Sequence, residues 1–204
     1  MNTYTFFISS LIIILIPGTG VIYTISTGFS KGKKASIYAA LGCTIGIVPH
    51  LCASIILSSL LMKNYPKAFL MIKIIGAFYL LYLGLGMLFS KSGLNFDNAQ
   101  TEDDFTGIVR RGILINLLNP KLTLFFFSFL PQYVSSYSQN YTMECLLYGF
   151  AFMLLTFAVF IGYGILAGAT KKFMINSPKS INLIQKIFGI IFIIFAVQLA
   201  FSSK

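Results

Sequence analysis

The fold is decided by the first uncharged stretch of the chain, YTFFISSLIIILIPGTGVIYTISTGFS (residues 4–30). This stretch is longer than the roughly 20 apolar residues that a helix needs to cross a bilayer. The whole chain of 204 residues shares its character, because 57% of the residues are hydrophobic and only 10% are charged. A soluble domain carries about 25% charged residues. The composition therefore excludes a water-soluble protein and predicts an all-α integral membrane protein.

Charged residues are rare enough to divide the chain into stretches with the length of a membrane span. They leave room for short loops and for no separate soluble domain. We therefore predict a single transmembrane domain over residues 1–204 with six transmembrane helices. The predicted spans cover residues 4–26, 37–62, 69–89, 110–131, 142–169 and 182–202.

Most basic residues lie in the connections between the apolar stretches, which indicates membrane topology and not nucleic-acid binding. Cytoplasmic loops are enriched in Lys and Arg, and this rule predicts both termini outside. The inner loops then hold Lys31, Lys33, Lys34, Lys91, Arg110, Arg111, Lys171, Lys172 and Lys179, and the outer side holds Lys63, Lys67 and Lys204. The longest inner loop, residues 93–106, is acidic, and we assign it no site.

The two halves of the chain, residues 1–92 and 107–204, carry related motifs at matching places. The pairs are Lys73-Ile-Ile-Gly76 with Lys186-Ile-Phe-Gly189, and Pro17-Gly18 with Asn119-Pro120. Three spans in each half would make the second half inverted relative to the first. The pattern predicts a 3+3 inverted repeat with broken helices 1 and 4, which is typical of secondary transporters. The alternative is that apolar helices resemble one another by composition alone.

The first span is interrupted by Pro17, which lacks a backbone donor, and by the flexible Gly18 and Gly20. Irregular backbone at membrane depth occurs only where protein or a cavity satisfies its polar groups. We expect the break to present backbone N–H groups and the Thr19 hydroxyl at a half-helix N-terminus, which attracts a carboxylate. The alternative is a structural kink that improves packing.

The fourth span contains the motif Asn116-Leu-Leu-Asn119-Pro120-Lys121. Asn116 and Asn119 share a helix face because they are three residues apart. Lys121 is the only charge between Gly112 and Met143, and an ammonium at that depth costs at least about 2.5–3.5 kcal/mol. We therefore predict that these residues bind substrate. The alternatives are that Lys121 reaches an interface or that Asn carbonyls satisfy it structurally.

His50, the only histidine, lies in the middle of the second span. It could carry a proton at cellular pH, which makes it a candidate for coupling, although a hydrogen-bonded packing residue is the alternative.

Two glycine pairs, Gly42 with Gly46 and Gly164 with Gly168, predict close helix contacts. The cysteines lack metal-binding spacing, and we predict neither a metal site nor a cofactor.

These motifs resemble the signatures of the LysE-type amino-acid exporters, a superfamily that includes lysine, homoserine and threonine exporters. The resemblance covers nearly the whole chain, and it implies a six-helix exporter of amino acids or similar metabolites in the bacterial inner membrane. It rests on Pro17-Gly18, residues 28–35, residues 40–46 with His50, residues 76–84 and residues 116–132.

We therefore predict a secondary exporter that works by alternating access, driven by a proton gradient or the membrane potential. Lys121 and the turn over residues 17–20 would hold the substrate carboxylate, and Asn116 and Asn119 would orient it or line the path. Neutral amino acids are favoured over basic ones, because the predicted spans hold no Asp or Glu away from their ends to pair with a cationic side chain. The expected partners are the amino acid, the lipid bilayer and protons, and a homo-oligomer is compatible with the sequence.

Two other classes of protein are weaker alternatives. A cation or metal-ion exporter, or a channel, would need carboxylates or His/Cys clusters, and Lys121 would repel a cation. A membrane enzyme would need a carboxylate pair or a base beside a nucleophile, and neither is visible in the sequence. We expect no enzyme activity.

Overall fold

A computed structural model of the chain describes residues 3–16, 18–64, 66–89, 104–135 and 138–169, together with single positions between 186 and 200. Within these ranges the chain is helical and contains no strand, as the sequence predicts. The continuous helices are α1 (Thr3–Leu15), α2 (Thr19–Lys31), α3 (Lys33–Ile45), α4 (Val48–Asn64), α5 (Pro66–Phe89), α6 (Phe105–Leu117), α7 (Pro120–Ser128) and α8 (Tyr141–Ala169), with a short 3₁₀ turn at Leu130–Gln132.

Two segments are each long and apolar enough to cross a membrane, Lys33–Ser58 and Tyr141–Ala167. Two pairs of helices meet the same condition only together: α1 with α2, and α6 with α7, each bent by 55° at its break. The described residues therefore hold two to four spans. The apolar part of α5, Leu70–Gly86, is shorter, and most of the predicted sixth span falls outside the described residues. Six spans in a 3+3 inverted repeat stay a prediction.

The start of α6 lies before the predicted start of the fourth span at residue 110. The cause is Asp104, whose carboxylate accepts hydrogen bonds from the Thr106 hydroxyl (2.6 Å) and the Gly107 backbone N–H (2.9 Å). These two bonds cap the helix and lower the pKa of the Asp104 carboxyl below its usual value. One residue of the predicted acidic loop therefore begins a helix.

Glycines let α3 and α6 approach each other closely. A Cβ added to Gly42 would collide with the Val109 carbonyl oxygen. A Cβ added to Gly46 would lie 2.7 Å from the Ile113 carbonyl oxygen. The predicted close contact at this glycine pair is confirmed. Within the second predicted span, the helix is interrupted at Gly46 and Ile47, between the end of α3 and the start of α4.

The other predicted glycine pair lies on α8. A Cβ added to Gly164 would collide with the Ser36 side chain, and Gly28 faces the Gly164 carbonyl, 2.6 Å from the position of an added Cβ. Gly164 thus marks a close contact with α2 and α3, whereas the surroundings of Gly168 lie outside the described residues. Gly32 alone separates α2 from α3, with a φ of 87° that favours glycine.

Aromatic rings fill the part of the core between α1, α7 with the turn that follows it, and the first half of α8. Neighbouring ring centroids lie 4.6 to 5.4 Å apart, typical of favourable aromatic pairs. This aromatic cluster consists of Phe6, Phe125, Phe126, Phe129, Tyr133, Tyr148 and Phe152. Large apolar side chains such as Ile56, Phe78 and Phe150 are exposed, as expected for helices that contact lipid.

Candidate substrate site at the two helix breaks

The two helix breaks meet at one cavity. The ends of α1 and α6, the starts of α2 and α7, and the middle of α8 surround it. Its lining residues are Ile13, Ile14, Gly18, Gly20, Val21, Asn116, Asn119, Lys121, Leu122, Phe152, Thr156 and Phe160. Two regions that are far apart in the sequence therefore contribute to one site.

The first break leaves the start of α2 without a cap. Gly18 is the residue before the helix, its backbone is extended, and within the described part of the chain no side chain accepts a hydrogen bond from the first turn. The first N–H groups of a helix have no partner inside it, so they remain available as donors beside the cavity. Pro17 lies outside the described residues.

The carbonyl groups at the end of α1 are paired with side chains from the second half of the chain. The Lys121 ammonium donates to the carbonyl oxygens of Ile13 (3.3 Å) and Ile16 (3.1 Å). The Tyr163 hydroxyl donates to that of Leu15 at 2.8 Å. A cation at a helix C-terminus is favoured by the helix dipole. Because an ammonium has three donors, these two bonds leave one for a ligand.

The second break is held by its own side chains. The Asn119 side-chain oxygen caps α7 by accepting a hydrogen bond from the Lys121 backbone N–H at 3.0 Å. The Asn116 amide donates to the Cys43 carbonyl at 2.7 Å, which ties the end of α6 to α3. Gly20 lies so close that an added Cβ would be 2.5 Å from the Asn116 side-chain oxygen. Asn116 therefore lies against both breaks.

His50 crosses to the second break from α4 and is buried there. Its Nε2 lies 2.9 Å from the Asn116 carbonyl oxygen, and its Nδ1 lies 3.1 Å from the Thr123 hydroxyl. Because a carbonyl only accepts, the proton is on Nε2 and, in the neutral ring, Nδ1 accepts from Thr123. Both ring nitrogens are therefore hydrogen-bonded to the fourth predicted span.

Most of the predicted site residues lie together, and two do not line the cavity. Gly18, Gly20, Asn116, Asn119 and Lys121 line it. Thr19 and Pro120 are exposed side chains at the starts of α2 and α7.

Sequence reasoning missed the contribution of α8 to the site. Phe152, Thr156 and Phe160 line the cavity, and Tyr163 contacts the end of α1. Their four-residue and three-residue spacing puts them on one helix face, but the same spacing is found in any buried helix. It therefore gives no specific signal of a site.

The cavity is closed to a substrate in this conformation. Its volume is about 20 Å³, which is enough for about one water molecule and too small for an amino acid. The surrounding helices must therefore separate before an amino acid can enter. Among the described residues no group of His, Cys, Asp or Glu could hold a metal ion.

A family model described as LysE type translocator matches residues 11–203. The chain belongs to the LysE-type translocator family. The resemblance of its motifs to this family is thereby confirmed. Membership, together with the apolar helices, makes it a multi-pass membrane protein and points to a transporter and not an enzyme.

Curated relatives of this LysE-type chain extend over nearly its whole length. A membrane protein of Vibrio cholerae, described as uncharacterized, is 29% identical and covers 92% of this chain and 90% of its own length. Leucine efflux proteins of Enterobacter sp. and Salmonella typhimurium are 28% and 26% identical, each covering 98% of this chain and 95% of its own length. No solved structure matches. These relatives support amino-acid export.

Proposed function

We propose that this chain is a secondary exporter of neutral amino acids in the bacterial cytoplasmic membrane, working by alternating access. Family membership and the efflux proteins among its relatives support export of amino acids. The observation that carries the mechanism is the meeting of two interrupted helices and one ammonium at a single cavity. Interrupted helices that face each other are the usual binding site of secondary transporters.

The substrate carboxylate binds between Lys121 and the uncapped start of α2. Lys121 provides the unused N–H of its ammonium, and the first turn of α2 provides backbone N–H groups with the positive end of the helix dipole. Asn116 and Asn119 border this position and orient the bound group. Pro120 contributes by starting α7 beside Lys121. We retain residues 17–20 as the backbone part of the site.

The side-chain pocket favours apolar substrates. Most of the lining is apolar, with Val21, Leu122, Phe152 and Phe160 around the same space as Lys121. The lining residues, all within the described part of the chain, include no carboxylate that could pair with a basic side chain. Neutral aliphatic amino acids therefore fit this lining best, and the leucine efflux relatives support that preference.

Alternating access would open the cavity to one side at a time. We propose that the aromatic cluster closes the cavity on one side and that the glycine contacts of α2, α3, α6 and α8 close it on the other. We propose that the halves, residues 1–92 and 107–204 within one domain of 1–204, rock against each other as an inverted repeat. Equal bends of 55° in the two halves support this arrangement.

His50 is the proposed site of proton coupling. In the neutral ring Nδ1 accepts from Thr123, as described above. When Nδ1 gains a proton, it donates to the Thr123 oxygen, and the hydroxyl proton of Thr123 turns to the Asn119 carbonyl, 3.5 Å away. Protonation would thus move a hydrogen bond onto the residue that caps α7, and so couple the proton to the second break.

The deciding experiment is efflux from proteoliposomes loaded with L-leucine, L-isoleucine, L-lysine or L-glutamate, with and without an imposed pH gradient. We expect saturable efflux of the two neutral amino acids well above that of lysine, and acceleration by the gradient. Protein-free vesicles are the control for leakage. If no amino acid leaves faster than from those vesicles, the proposed function is wrong. If neutral amino acids leave but the pH gradient does not accelerate their efflux, proton coupling is wrong and the membrane potential is the driving force to test.

The proposed orientation, with both termini outside, needs its own measurement. It rests on the distribution of Lys and Arg between the loops. In a variant with serine at Cys43, Cys52 and Cys145, the substitution Lys33→Cys should remain unlabelled by an impermeant maleimide in intact cells and become labelled after lysis. Labelling in intact cells would place this turn outside and reverse the topology.

A further inference from the structure

The end of α1 binds an ammonium in the structure. The carbonyl oxygens of Ile13 and Ile16 both accept from Lys121, a residue of the other half of the chain. Ile13 also lines the cavity, and Ile16 is buried. These carbonyls therefore form a site suited to a primary amine, and an internal amine occupies it while the cavity is closed.

The end of α1 and the start of α2 lie side by side with opposite polarity. A Cβ added to Gly18 would be 3.1 Å from the Lys121 ammonium nitrogen, so this ammonium lies between the last carbonyls of α1 and the first N–H groups of α2. The carbonyl end favours a cation and the N–H end favours an anion. An α-amino acid carries an ammonium and a carboxylate on the same carbon, which matches this pair of helix ends.

We propose that the carbonyl groups of Ile13 and Ile16 are the subsite for the α-ammonium of the substrate, which takes the place of the Lys121 ammonium. Lys121 then turns to the substrate carboxylate beside the start of α2. Every charged group has a partner before and after the exchange. This inference rests on the proposed function, because it divides the amino-acid site into an ammonium part and a carboxylate part.

The exchange explains how the site would reject molecules with only one of the two groups. A carboxylic acid without an amine would draw Lys121 away and leave buried carbonyls without a donor. An amine without a carboxylate would meet a Lys121 that still occupies the carbonyls, and the two cations would repel each other. The bond from Lys121 to α1 also joins the two halves when no substrate is present.

The test is displacement of radiolabelled L-leucine from the purified full chain in detergent. The competitors are 4-methylpentanoate, which is leucine without its amine, and 3-methylbutylamine, which is leucine without its carboxylate. Each should compete at least about tenfold more weakly than unlabelled L-leucine, which corresponds to the loss of one hydrogen bond to a charged group. If 4-methylpentanoate competes within threefold of L-leucine, the ammonium subsite is wrong although the carboxylate site stands. If L-leucine itself does not bind, the proposed substrate class fails.

A second measurement uses the Lys121→Met variant, in which the α1 carbonyls lose their internal amine. 3-Methylbutylamine should raise the thermal midpoint of this variant and leave that of the unchanged chain and of a Lys34→Met control unaltered. Lys34 is exposed near the turn between α2 and α3, so its loss removes a charge away from the cavity. Equal shifts in all three proteins would overturn the subsite. If the Lys121 variant does not fold, the competition experiment decides alone.

Discussion

The two helix breaks have the same 55° bend but pair their backbone groups differently. At the second break most hydrogen bonds of the backbone groups are local. The Asn119 side chain caps α7, and the Asn119 backbone N–H donates to the Asn116 carbonyl at 3.1 Å. At the first break the pairing comes from far away, with Lys121 and Tyr163 on the carbonyls of α1 and no side-chain cap among the described residues at the start of α2.

This difference assigns different tasks to the two breaks. The second break is capped by its own Asn119, with Asn116 also bonded to His50 and Cys43, and it positions side chains, above all Lys121. The carbonyl groups of the first break are paired with the side chains of Lys121 and Tyr163, which can move away from them. The uncapped N–H groups of this break are the available donors at the cavity. A substrate can therefore change the first break more easily than the second.

Removal of the Lys121 charge should have the largest effect. Lys121→Met deletes the proposed partner of the carboxylate and leaves the carbonyls of Ile13 and Ile16 without their donor. We expect leucine efflux from proteoliposomes to fall at least about 100-fold, because the substrate carboxylate would be buried without its charged partner. Lys34→Met is the charge-matched control and should retain efflux. Normal efflux from a folded Lys121→Met protein would remove this residue from the site.

A methyl group on Gly20 should close the cavity from the side of the first break. In Gly20→Ala the new Cβ would meet the Asn116 side-chain oxygen at 2.5 Å and a ring carbon of Phe160 at 3.0 Å. We expect efflux to fall by about tenfold or more, while the protein remains in the membrane, because overpacking of such a site costs about 1–3 kcal/mol. Gly162→Ala on α8 is the matched control, because no atom of the described residues lies within 4 Å of its added Cβ. Equal efflux from the two variants would contradict the proposed position of the substrate.

The breaks themselves could be predicted from the sequence, because proline, glycine and asparagine act locally on the backbone. Pro17-Gly18 and Asn119-Pro120 each lie at an interruption, and the glycines at 42 and 46 lie at a close helix contact. The partners of Lys121 could not be predicted, since they are backbone carbonyls about a hundred residues earlier in the chain. Phe152, Thr156 and Phe160 could not be predicted either, because apolar and small polar side chains carry no signal of which cavity they line.

The local capping of the second break can be tested by removing the Asn119 side-chain oxygen. Asn119→Ala should lower the free energy of unfolding by about 1 kcal/mol, the usual cost of a lost N-cap. Asn119→Ser retains a capping oxygen and should keep most of that stability. Thermal midpoints of the two purified variants provide the measurement. If alanine and serine behave alike, the capping oxygen does not stabilise this break and the proposed difference between the breaks is smaller than the hydrogen bonds indicate.

The smallest expected effect comes from adding a cap where the first break has none. Gly18→Ser would place a hydroxyl before α2, where serine is a favoured capping residue, and Gly18→Ala adds the same Cβ without the hydroxyl. Both variants bring the Cβ to 3.1 Å from the Lys121 nitrogen, a flexible side-chain end that can move slightly. The comparison of serine with alanine therefore isolates the cap. A serine that occupies the first-turn N–H groups competes with the substrate carboxylate, so leucine should bind about two- to fivefold more weakly to Gly18→Ser than to Gly18→Ala, a difference below 1 kcal/mol. Tighter binding to the serine variant would mean that these N–H groups do not receive the carboxylate, and the anion site would then consist of Lys121 and the asparagines of the second break alone.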